Sequence, residues 1–252
     1  MKFNGGANMK ARFALIFFFF IVLSSSVASQ ENQKSYWINK GLEMNCKETN
    51  SSASDCYQAE IYFDKAIQMD PLCSDEASEG NQLCAKAWCE KGFAVSNNPD
   101  NYPEDQNKPI NKSAYYVAIN CFDKALQLNP SYAKALIGKS EALSILGAAE
   151  TQESKIKDAI TCSNMAIEIE PENSDAWNSK GMAYYASKDI ENRRKALDYF
   201  MQALDYDKCN TEARENIAIV LDEVSLPSNS ELQTYMQIPD SCLKRDSRLE
   251  AG

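Results

Sequence analysis

Four stretches of this chain end alike, and that self-similarity limits the fold more than any other feature. Ala59, Phe63 and Ala66 lead to Pro71, and Ala118, Phe122 and Ala125 lead to Pro130. Ala159, Ser163 and Ala166 lead to Pro171, and Ala196, Phe200 and Ala203 lead to Lys208. The offsets of four and then three residues put each set on one face of a helix. The small alanines let a second helix approach closely. Proline five residues later stops the helix, and only the last copy replaces it, with Lys208. A second helical pattern precedes each stretch. Trp37 to Gly41, Trp88 to Gly92 and Trp177 to Gly181 share W-x-x-K-G, and Leu136 to Ser140 is its degenerate member. The residues seven after these (Met44, Val95, Leu143, Tyr184) lie on the same face, and the small residue four after marks where the partner helix crosses.

These residues resemble the tetratricopeptide repeat (TPR), whose pattern is W-x2-L-G-x2-Y…A-x3-F…A…P. The match runs from about 35 to 208. The resemblance implies an all-α fold, a right-handed α-α superhelix (TPR solenoid) of antiparallel helix pairs. The repeats read as 34–71, 85–130, 133–171 and 174–208. A helix over 211–224, with Ala213, Ile217, Ala218 and Leu221, fits the solvating cap such arrays need. The tail, 225–252, opens on the turn-rich run Ser225 to Ser230 and is expected to be partly disordered.

The spacing departs from the family. Its repeat is about 34 residues, whereas Trp37, Trp88, Leu136 and Trp177 stand 51, 48 and 41 residues apart. The excess is read as long loops between the two helices of a repeat, at 45–56, 96–112 and 147–155, with a short one at 188–193. Another insert, 72–83, separates the first two repeats. Long loops cost little closure entropy, so the stack tolerates them.

The start of the chain reads as a signal peptide over 1–29. Lys2, Lys10 and Arg12 precede the eleven apolar residues Phe13 to Leu23, and small residues run from Ser24 to Ala28. A spanning helix needs about 20 apolar residues, so no membrane insertion is expected after cleavage. Met9 is an alternative start. A secreted or extracytoplasmic chain oxidises its thiols, and all nine cysteines follow the leader. Cys46 and Cys56 flank the first long loop, Cys73 and Cys84 flank the inter-repeat insert, and Cys209 and Cys242 would pin the tail. Each pair is a candidate disulfide. Cys89, Cys121 and Cys162 remain, either buried or, in part, available to another molecule. Asn50 and Asn111 head glycosylation sequons.

Chemistry is poorly provided for. The chain has no histidine, which removes Ser-His-Asp and Cys-His catalysis and imidazole metal sites. No phosphate-loop, nucleophile-elbow or dinucleotide motif occurs. Pairs such as Asp75 with Glu79 and Asp222 with Glu223 read as solvated charge. No cofactor and no metal is expected, and a net charge of −10 argues against nucleic acid. The resemblance implies instead a concave face, lined by the first helix of each repeat, that holds a segment of another protein. Its inward positions include Ile38, Leu42, Lys86, Phe93, Lys134, Ile137, Asn178, Met182 and Tyr185. Ile38, Leu42, Phe93, Ile137, Met182 and Tyr185 would form an apolar strip suited to a hydrophobic or extended peptide. The basic clamp that some family members use for C-terminal carboxylates is not reproduced. The expectation is therefore a non-catalytic binding scaffold. The alternative is a self-assembling structural subunit, a homo-oligomer of a surface layer or fibre linked through an unpaired cysteine.

Overall fold

The computed structural model describes residues 29–44, 46, 53–69, 73, 82–98, 111–224, 235–239 and 242. Residues 1–28, Asn50, Pro71 and much of 45–56, 72–83 and 96–112 lie outside these residues. Among the described residues all regular structure is helical. Helix α1 covers 29–43. It is followed by α2 (Ala53–Gln68), α3 (Gln82–Asn97), α4 (Lys112–Leu128) and α5 (Ala133–Glu150). Then come α6 (Glu153–Ile169), α7 (Ser174–Tyr185), α8 (Ile190–Tyr206) and α9 (Thr211–Val224). None of them is long and apolar enough to cross a membrane.

The repeated residues explain how the helices pair. In all four copies the two alanines and the residue between them are buried, and Phe122 and Phe200 are fully enclosed. Each ring lies against the glycine of the preceding helix. A Cβ added to Gly41 would sit 2.5 Å from the Phe63 ring, and one on Gly92 2.6 Å from Phe122. On Gly181 it would sit 2.5 Å from Phe200. Only a residue without a side chain lets the two helices close over the ring. Burial of a phenylalanine stabilises by about 1.5–3 kcal/mol, so each of the three copies with a ring carries its own small core.

The turns after α4, α6 and α8 are copies of one another. After α4, α6 and α8 the backbone N–H of Asn129, Glu170 and Asp207 donates to the carbonyl of Ala125, Ala166 and Ala203, each at 2.9 Å. A second bond closes each turn, from Tyr132 to Asn129, Asn173 to Glu170 and Asn210 to Asp207. The third turn therefore forms without the proline that Lys208 replaces. Asn173 then caps α7 through Asp175 N–H at 2.9 Å, and Asn210 accepts from Ala213 N–H at 2.9 Å. Identical turns give one stacking rule, so α3 touches α5, α5 touches α7 and α7 touches α9. The odd-numbered helices form one continuous layer, and α2, α4, α6 and α8 fill the other side. The result is an α-α solenoid.

The third repeat corrects one expectation. Residues 147–155 are not a loop. Helix α5 runs to Glu150 and α6 starts at Glu153, so the extra residues lengthen helices instead. The link is Thr151 and Gln152, with Thr151 left-handed at φ 55°. Gly147 makes this tight reversal fit, since a Cβ there would meet Ile156 Cγ1 at 2.7 Å. Lys112, Lys155 and Tyr116 converge on Glu150 at 3.4, 3.2 and 3.0 Å, tying α4, α5 and α6 together. Burial pushes the Glu150 carboxyl up, but hydrogen bonds from Lys155, Tyr116 and Lys112 outweigh it and hold the carboxyl below its usual range.

Candidate peptide-binding groove

The odd-numbered layer carries a cavity of about 330 Å³. Phe93 and Asn97 come from α3, Lys134, Ile137 and Glu141 from α5, and Asp175 and Glu212 from the starts of α7 and α9. Glu170 and Asn173 reach it from the turn before α7. Phe93 and Ile137 are nearly enclosed and form an apolar floor. Phe93 is fixed edge-on to Phe122, with ring centres 5.1 Å apart. The walls are polar. Lys134 is ion-paired with Glu90 and lies over the Phe93 ring. Glu170 accepts from the Asn173 amide at 2.6 Å, and Asp175 accepts from the Asn210 amide at 3.2 Å.

The structure gathers three of the nine inward residues, Phe93, Lys134 and Ile137, around this cavity. The others lie elsewhere. Ile38 is buried in the first core cluster and Leu42 is 39% exposed. Lys86 is half-buried on α3 and outside the cavity lining. Asn178 is fully buried, accepting from Asn216 of α9 at 3.0 Å. Met182 and Tyr185 pack against the α8–α9 core. Tyr185 donates to Glu223 at 2.7 Å, and Arg193 donates to the same carboxylate at 2.8 Å. Burial, then that bond to Glu223, pushes Tyr185 up to about 12. The continuous apolar strip therefore breaks where α9 covers α7. The periodicity of α7 alone could not show that cover.

Six lining residues fell outside the chosen set: Asn97, Glu141, Glu170, Asn173, Asp175 and Glu212. A signal for two of them, Asp175 and Glu212, exists. Lys134-Ala135, Asp175-Ala176 and Glu212-Ala213 align at one register position, so α9 continues the inner layer. Glu170 and Asn173 belong to the turn, where helical periodicity says nothing.

The tryptophans are half-buried seam residues rather than full core. Trp88 donates to the Cys73 carbonyl at 2.9 Å and Trp177 to the Pro171 carbonyl at 2.8 Å. Trp177 also stacks on Tyr199 and Tyr206, 6.3 and 6.1 Å between centres. The cysteines fall into three bonded pairs, Cys46–Cys56, Cys73–Cys84 and Cys209–Cys242, with Cα separations of 4.9, 5.3 and 5.3 Å. Cys89, Cys121 and Cys162 are all buried. Burial raises the Cys121 thiol to about 12 and pushes Cys162 up as well. None of the three thiols faces outward to link another chain, which corrects that part of the fibre expectation. Asn111 is only 6% exposed and caps α4, accepting from Ser113 N–H at 3.1 Å. Among the described residues no group of three or more His, Cys, Asp or Glu side chains is placed to hold a metal ion.

No family model matches the sequence. The chain is similar to a curated protein, the Hsp70-Hsp90 organizing protein of Triticum aestivum. They are 24% identical over 152 residues, which is 60% of this chain and 24% of that protein. The chain thus spans about a quarter of that relative's length. Among solved structures it is similar to the first TPR of Spaghetti (RPAP3) bound to HSP90 peptide SRMEEVD. That match has 17% identity and a TM-score of 0.43, covering 60% of this chain and 100% of the other. MamA 41-end from Desulfovibrio magneticus RS-1 matches at 16% identity and a TM-score of 0.47, covering 87% and 96%.

Proposed function

We propose that this chain is an extracytoplasmic scaffold that holds a segment of another protein against its inner helical layer and carries out no chemistry. The observation that carries this reading is the cavity between α3, α5, α7 and α9, with its apolar floor and polar walls. Concave, mostly preformed sites of this size are where extended ligands gain contact at low ordering cost. The name of the curated relative, a protein that organises two others, agrees with a scaffold role. Export is supported by the basic, apolar and small-residue start of the chain and by the three cysteine pairs. Asn111 is poorly placed to carry a glycan, since its side chain is buried at a helix start.

Site-specific photo-crosslinking tests the reading. A benzophenone side chain at Asn97 faces the cavity, and one at Thr161 stands exposed on α6 in the opposite layer. A protein partner captured from Asn97 and not from Thr161 is the expected result. Equal capture from both positions defeats the concave site.

A further inference from the structure

We infer that the segment held in the inner groove is basic, an extended stretch in which lysine or arginine alternates with apolar residues. This rests on the groove reading above and adds the chemistry of the occupant. The floor offers Phe93 and Ile137, which suit an apolar side chain. Among the described lining residues carboxylates outnumber cations: Glu141, Glu170, Asp175 and Glu212 stand beside Lys134, which is ion-paired with Glu90, and Asn178 donates to Glu212 at 3.5 Å. The amides of Asn173 and Asn210 orient Glu170 and Asp175 without cancelling their charge. The cause is written in the repeats. One register position of the inner layer reads Lys86, Lys134, Asp175 and Glu212 from α3 to α9, so its sign reverses along the array. The cavity spans that reversal, with Lys134 at one side and Asp175 and Glu212 at the other.

Charge complementarity then selects the ligand. An extended peptide places alternate side chains on opposite sides. Apolar residues can meet the floor while guanidinium or ammonium groups meet the walls, where bidentate pairing with a carboxylate is the strong geometry. An acidic segment meets like charge across the groove and is rejected.

Fluorescence anisotropy with labelled peptides tests this on the full chain. The probes alternate leucine with arginine, with glutamine or with glutamate, at physiological salt. The arginine probe is expected to bind about tenfold or more tighter than the glutamine probe, and the glutamate probe not at all. The pair Glu170→Gln and Asp175→Asn should weaken the arginine probe about tenfold and leave the glutamine probe unchanged. The pair Glu153→Gln and Glu168→Gln, exposed on α6, should change neither. An equal loss from that control pair would mean general attraction to an acidic protein and would overturn the inference. Equal affinity for the arginine and glutamine probes, with both lost in Ile137→Ser, would overturn the basic specificity while leaving the groove standing. Binding of no probe also overturns it, and the crosslinking experiment then judges the groove separately.

Discussion

Phe122 is clamped between two glycines. An added Cβ would meet its ring at 2.6 Å from Gly92 and at 2.4 Å from Gly138. Gly92→Ala should therefore cost about 1–3 kcal/mol, because a fully buried ring held from two sides cannot give way. The third repeat solves the same problem differently. Its glycine position is Ser140 and its phenylalanine position is Ser163, both buried, and Ser140 donates to the Ala159 carbonyl at 2.9 Å. Each serine looked like a separate lapse in the sequence pattern, and only the packing joins them. Ser163→Phe alone should destabilise, and adding Ser140→Gly should recover part of the loss. A double-mutant cycle read by urea unfolding is expected to give a coupling of about 0.5–3 kcal/mol. Strict additivity would show that the two positions do not share the space. A second local rule fails once. Lys91 pairs with Asp64 and Lys139 with Asp123, each at 2.6 Å, linking one repeat's first helix to the previous repeat's second. The matching partner of Lys180 is Asn164, and burial lowers the Lys180 ammonium, which lies over Tyr199 at 4.5 Å. Asn164→Asp should raise the Lys180 pKa and add about 0.2–1 kcal/mol, a surface-pair value since the lysine is partly exposed. An unchanged lysine titration by NMR would refute it.

Whole helices were more legible than their joints. The alanine, phenylalanine and tryptophan spacings placed α2 to α8, because burial on one face repeats with the helix period. The α5–α6 joint was misread because the excess length in the third repeat carries no proline and includes Ala148, Ala149 and Glu150, good helix formers that extend α5. The reversal is then forced into Thr151, a β-branched residue at φ 55°. The left-handed conformation costs such a residue about 1–2 kcal/mol. Thr151→Gly removes that penalty but adds freedom to the unfolded chain, worth about 0.4–1 kcal/mol in the opposite direction. The expected net is a gain of about 0.5–1 kcal/mol, seen as a higher urea midpoint with an unchanged slope. A lower midpoint would mean that the threonine side chain supports the joint. The groove was half-legible for a related reason. Phe93, Lys134 and Ile137 follow from helical register, but the cover that α9 places over Asn178, Met182 and Tyr185 depends on how one element stacks on another.

At the scale of the molecule, the charge pattern sets how stability responds to pH. The chain has no histidine, so no side chain has its ordinary pKa between about 5 and 8. Unfolding free energy should be nearly flat from pH 6 to 8. Above that range the buried core takes over. The three cysteines that the sequence left unassigned lie buried, and burial holds the Cys121 thiol at about 12 and lifts Cys162. Burial also pushes Tyr199 up to about 12 and raises Tyr115 and Tyr132. The unfolded values are about 8.5 for cysteine and about 10 for tyrosine. Between the unfolded and folded values the unfolded chain has lost protons that the folded chain keeps. Folded pKa values above unfolded ones mean stability that is complete below about pH 8.5 and declines as pH rises toward 12. The slope is about 1.4 kcal/mol per pH unit for each such proton. Urea midpoints should therefore fall clearly from pH 7 to pH 10.5. Growing negative charge would lower them too, so the comparison that decides is Cys121→Ala. It removes the buried thiol without changing any carboxylate, and should flatten the decline between pH 8.5 and 10. If its decline matches that of the parent chain, the Cys121 thiol ionises equally in both states and does not set the alkaline limit.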